Sequence, residues 1–86
     1  MVDKLIAVTT APALASLGHP SRTLIAFTNE GAADEIVRVS TSPETCANSA
    51  WTVYNRETLK ASDAKAQKAW YIIASANVNV TVSEEF

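Results

Sequence analysis

The chain is poor in the residues on which much protein chemistry depends, and each shortage excludes something. Cys46 is the only cysteine, so no internal disulfide can form, whereas a secreted scaffold of this size normally carries several. His19 is the only histidine. One imidazole and one thiol set well apart do not make a structural zinc site, whose ligands come in short clusters. Glycine occurs only at Gly18 and Gly31, too sparsely for a loop that turns several backbone amides onto a phosphate. The formal net charge of −2 and the pI near 5.2 leave no electrostatic footprint for nucleic acid. No apolar run approaches the roughly 18 residues of a membrane span, and no basic region followed by an apolar stretch and a cleavage site opens the sequence. These absences predict a soluble protein made in the cytoplasm, without cofactor, metal, nucleic-acid partner or membrane.

What remains is a short chain rich in small and β-branched side chains. A chain of 86 residues supports one core, because domains of this size bury only about 60 to 65% of their unfolded surface. Such a core supplies on the order of 3 to 5 kcal/mol and often leans on disulfides, metals or oligomerisation. With the first two excluded, the composition points to self-association or docking onto a larger body. Apolar residues make up 48% of the chain, but much of this is Ala and Val interleaved with Thr, Ser and Asn, a mixture that favours strands.

Leu5 to Val8 form an apolar run that Thr9, Thr10 and Ala11-Pro12 terminate. The segment from Pro12 to Pro20, with Gly18 inside it, reads as an irregular or extended arm. Arg22 to Thr28 reads as a strand followed by a turn at Asn29-Glu30-Gly31, and Glu35 to Thr41 as a second strand with Val37 and Val39 on one face. These two runs are expected to form a hairpin. A polar loop runs from Ser42 through Ser49, and Trp51 and Val53 share a face of the next strand. Thr58 to Ala69 is ambiguous between loop and a short helix capped by Ser62. Trp70 to Ile73 and the alternating Val78, Val80 and Val82 complete the pattern, with Ser75-Ala76-Asn77 expected to close a C-terminal hairpin. Five or six short strands joined by polar turns describe an all-β fold, a small antiparallel sandwich or partly open barrel. It divides into an N-terminal strand and extended arm over 1–21 and a sandwich core over 22–86 of the single domain 1–86.

The search for chemistry is largely negative. His19 lies between Gly18 and Pro20 with no neighbouring carboxylate or hydroxyl. A constellation of His19, Cys46 and Asp34 would have to form through space, and no nucleophile signature surrounds Cys46, which reads as a small apolar residue. The paired carboxylates Asp34-Glu35 and Glu84-Glu85 are adjacent in sequence and so point to opposite faces of a strand, which rules out an acid/base couple. Glu84 and Glu85 read as a solubilising end. No catalytic residue is therefore assigned and the chain is expected not to be an enzyme. Trp51 and Trp70 are the bulkiest apolar groups, and at least one belongs in the core. Tyr54 and Tyr71 suit a wet edge. Leu14, Leu17, His19, Tyr54 and Tyr71 are the candidate interface residues.

The succession LIAFTNEG, EIVRVSTSPE, WTVYN and KAWYIIASANVNVTVSE resembles the small β-sandwich proteins of tailed-bacteriophage particles, over about residues 22–84. Val39 to Ser42 and the terminal alternating valines carry the similarity. The resemblance implies a non-enzymatic virion structural protein: a capsid cement or decoration protein, assembled as symmetric copies and bound to other virion proteins such as the major capsid protein. A head-tail connector, tail or fibre component is the alternative within that class. Outside it stand a free carbohydrate- or protein-binding module presenting Tyr54, Tyr71 or a tryptophan, and a small enzyme using Cys46 and His19.

Overall fold

A computed structural model of the chain describes residues 2–32, 34–42 and 51–86. They form strands β1 (Val2–Val8), β2 (Ala13–Ser16), β3 (Leu24–Asn29), β4 (Val37–Ser40), β5 (Trp51–Val53) and β6 (Thr58–Ser62), one helical turn α1 (Asp63–Ala66), and strands β7 (Trp70–Ala74) and β8 (Val78–Glu85). Period-2 alternation explains the longest of them. In β8 the side chains of Val78, Val80 and Val82 are buried while Asn79 is exposed and Thr81 and Ser83 are half-buried, so one face turns inward and the other meets water.

The strands build two four-stranded antiparallel sheets in the orders β1-β8-β3-β6 and β2-β7-β4-β5. Packed face to face, they are an all-β sandwich and do not close into a barrel. Four of the pairings, β1·β8, β2·β7, β3·β6 and β4·β5, are those of a chain doubled back on itself as one long hairpin with β4 and β5 at its tip. Rolling that hairpin up brings β3 beside β8 and β4 beside β7. This is the eight-strand order of a jelly roll.

The core lies between the sheets, where Ile25, Phe27, Val80 and Val82 of one meet Val37, Val39, Trp70 and Ile72 of the other, all essentially without solvent exposure. Trp70 is the centre of this packing. Its ring lies 5.4 Å from Phe27 and 5.6 Å from Trp51, centroid to centroid, both in tilted geometry. Trp51 and Val53 have the shared face that alternation requires, but Val53 is buried while Trp51 emerges at the rim.

Two expectations are corrected and one that stood open is resolved. First, neither anticipated hairpin forms: β3 and β4 belong to different sheets, as do β7 and β8. The connections over 30–36 and 75–77 are therefore corners between layers. At the end of β7 the backbone N–H of Ala74 donates to Thr9 and that of Ser75 to Ile36, partners distant in sequence. Alternation fixes which face of a strand is buried but not which strand lies beside it. Second, the N-terminal arm is part of the sandwich. β1 pairs with β8 along its whole length, and residues 13–16 form the edge strand β2, with Ala15 and Ser16 buried. Pro12 and Gly18 flank that strand instead of interrupting it. Third, the ambiguous stretch 58–69 holds a strand, β6, followed by one turn of helix. Ser62 occupies the N-cap position without a side-chain capping bond. Cys46 and most of the 42–49 loop lie outside the described residues.

Candidate functional site

A single helical turn leaves its last carbonyls without intrahelical partners and is unstable by itself. Here side chains supply the partners. Trp70 donates its indole Nε1–H to the Lys65 carbonyl at 2.9 Å, and Arg22, two residues before the start of β3, donates Nε–H to the Ala66 carbonyl and Nη2–H to that of Lys68 at 2.7 Å. Arg22 is 1% exposed. Its remaining nitrogen, Nη1, donates to Ser16 Oγ at 3.0 Å, to the Leu17 carbonyl at 3.0 Å and to Glu84 Oε2 at 3.1 Å. One guanidinium thus ties together β2, the loop that follows it, the α1–β7 connection and β8. Arginine suits the position because its planar fork carries several donors in fixed directions.

Glu84 is consequently no solubilising end. Its carboxylate faces Arg22, accepts from Ser16 Oγ at 3.3 Å and lies 3.7 Å from the half-exposed Lys4 ammonium. Glu85, one residue on, is exposed. The expectation that the two carboxylates diverge holds, and burial separates their roles. A buried guanidinium needs a counter-charge and full hydrogen bonding, and nothing local in the sequence joins position 22 to position 84.

Around this clasp the structure gathers several of the candidate interface residues. Leu14, Leu17 and His19 line a groove of about 390 Å³ with Lys4 and Glu84. Tyr71, half-buried, lies opposite Leu14 in the β2·β7 register. Leu17 is 72% exposed. His19 Nδ1 accepts the backbone N–H of Ser21 at 3.1 Å, and the ring meets Phe86 edge-on at 4.7 Å. Its hydrogen bond is thus to the backbone, not to Asp34, which lies exposed in the 30–36 corner. Tyr54 is exposed elsewhere, in the turn between β5 and β6. Gly18 is required here: a Cβ would stand 2.9 Å from the Gln67 carbonyl oxygen and 3.2 Å from the Ala69 nitrogen, against backbone that cannot swing aside.

β1 forms the outer edge of its sheet and β2 that of the other, so both edges flank this groove. An edge strand presents unpaired N–H and C=O groups along its length, and β1 offers seven residues of it, with Leu5 63% exposed at its middle.

At the opposite edges, β5 and β6, the sandwich opens into a cleft of about 450 Å³ between Trp51, Trp70 and the residues of β6 and α1. Trp51 is 42% exposed, and the Lys65 ammonium sits 5.0 Å from its ring centroid. Among the described residues no three His, Cys, Asp or Glu side chains are placed to hold a metal ion, and no helix is long and apolar enough to cross a membrane.

Eight strands in two sheets, in this order, define a jelly-roll sandwich. The chain matches no protein-family model, no curated protein and no solved structure.

Proposed function

We propose that the chain is a non-enzymatic structural subunit of a virus particle, a capsid cement or decoration protein that works as a symmetric homo-oligomer against other virion proteins. The observation that carries this reading is the β1–β2 edge. A seven-residue edge strand with an exposed leucine at its centre is a template for another strand unless something covers it. Leu14, Leu17 and Phe86 add exposed apolar surface beside it. A small core gains from such completion, since a partner that binds only the folded state stabilises it by mass action. The jelly roll adds an analogy of fold, as that architecture is used in viral capsid domains among others, although architecture alone assigns no role.

Sedimentation velocity over a wide concentration range tests the reading. A closed oligomer that Leu14→Asp and Leu17→Asp dissociate without unfolding the subunit is the expected result. A wild-type chain that stays monomeric throughout and binds no capsid or other large assembly would remove its basis.

A further inference from the structure

We infer that the cleft between β5 and β6 is a carbohydrate site that takes a pyranose ring against Trp51. This goes beyond the structural role and does not depend on it, because the cleft lies at the edges opposite β1 and β2.

The indole comes first. A tryptophan buries more apolar surface than any other side chain, and in a chain this small at least one of the two belongs inside. Trp70 is 1% exposed and Trp51 42%. Trp51 leans against Trp70 at 5.6 Å and 49°, and the Lys65 ammonium stands 5.0 Å from its centroid, so the ring is fixed and a sugar reaches it by displacing that exposed, flexible side chain.

The polar rim comes second. Lys60, Ser62 and Asp63 line the same cleft. All three are exposed, and among the described residues the Lys60 ammonium, the Ser62 hydroxyl and the Asp63 carboxylate make no hydrogen bond or ion pair, so they can exchange water for ligand groups. Elsewhere the polar side chains that approach the core are engaged, those of Arg22 and Asn29 fully so.

The backbone gives a third, independent sign. Arg56 and Asp63 are the non-glycine residues with left-handed backbone, at φ 61° and 56° among the described residues. For Arg56 the reason is local: its N–H bonds Asn29 and the Glu57 N–H bonds Tyr54, closing a turn. Aspartate tolerates this conformation best when its carboxylate bonds nearby backbone; Asp63 has no such bond. Its strained backbone holds an unpaired acceptor at the mouth of the cleft, and strain of this kind points to function when the side chain has no structural task.

The ligand class follows from what would satisfy all three features. An apolar peptide side chain would cover the indole but leave the exposed Lys60, Ser62 and Asp63 groups to water, gaining nothing from them. A nucleotide could stack and offer its phosphate to Lys60 and Lys65, but it would set that phosphate beside Asp63 as well and leave the carboxylate without a donor. A pyranose presents a face of C–H groups to the ring and a rim of hydroxyls that both donate and accept, so vicinal hydroxyls donate to Asp63 while Lys60 donates and Ser62 does either. The volume lies in the range of small-ligand pockets.

The test is a titration with the methyl glycosides of glucose, galactose, mannose and N-acetylglucosamine, followed by NMR at the indole N–H signals. The Trp70 signal, whose N–H is held by the Lys65 carbonyl, reports that the fold is intact. The site predicts a saturable shift of the Trp51 signal with at least one glycoside at millimolar concentration. Asp63→Asn should weaken it roughly tenfold or more, and Trp51→Ala, followed through the backbone amide signals of cleft residues 59–65, should abolish the glycoside-dependent shifts with the Trp70 signal retained. Should Trp51→Ala disturb the fold, Trp51→Phe gives the same comparison with weakened binding. The inference fails if no glycoside moves the Trp51 signal at tens of millimolar. It fails equally if the binding survives both substitutions, or if it disappears with salt and is indifferent to Trp51, which would mark simple charge attraction.

Discussion

The two open flanks of the sandwich are treated in opposite ways. On the β1–β2 side the space between the sheets is filled by the Arg22 guanidinium, every nitrogen of which has an acceptor. On the β5–β6 side it is occupied by a half-exposed indole, with charged and hydroxyl groups left unpaired around it. Helix α1 sits between them, held from one side by Arg22 and from the other by Trp70. The difference teaches that completed hydrogen bonding and open chemistry are divided between flanks: one fastens the fold, the other is free to meet a ligand.

Removing the fastening should have the largest effect. Arg22→Ala strips partners from three carbonyls and leaves the largely buried Glu84 carboxylate with only the half-exposed Lys4 ammonium, at 3.7 Å, as counter-charge. A loss of roughly 3–5 kcal/mol is expected, comparable to the whole stability of a core this small, so the variant should be mostly unfolded by circular dichroism at room temperature. Arg22→Lys should not restore it, because an ammonium cannot reproduce the fork. A variant with wild-type melting would show that the clasp is incidental.

Gly18→Ala attacks the same flank by shape alone. The added methyl must push back the Gln67–Ala69 backbone, which should cost about 1–3 kcal/mol, read as a lowered urea midpoint at unchanged slope. On the other flank the expected effects are smaller. Lys65→Ala removes a cation from above Trp51 at a partly exposed site, worth about 0.5–1 kcal/mol. A larger loss in the same urea titration would mean that the β5–β6 flank is also structural, and the contrast between the flanks would collapse.

How much of this is legible in the sequence depends on the distance over which each feature is encoded. The inward valines of β4 and β8 are visible in the alternation of Val37 with Val39 and of Val78 with Val80 and Val82, because a strand's faces are a local property. The jelly-roll order is not, since β1 meets β8 and β3 meets β6 across most of the chain. Short turns such as Ser75-Ala76-Asn77 look like hairpins and are corners. Arg22 opens a strand-like run and resembles an ordinary exposed residue; only the fold brings Ser16, Ala66, Lys68 and Glu84 to it. Trp51 and Trp70 could not be told apart by composition. The signal that separates them is position, since Trp51 stands at the first residue of a short edge strand and Trp70 begins an apolar run in an inner one.

The central claim is that the β1–β2 flank is completed by a neighbouring subunit while the β5–β6 flank stays open. Amide hydrogen exchange at low and high protein concentration tests it most directly. Exchange in β1 and β2 is predicted to slow as concentration rises, with β5 and β6 unchanged. Rates in β1 that do not depend on concentration, or protection that grows instead at β5 and β6, would contradict the account.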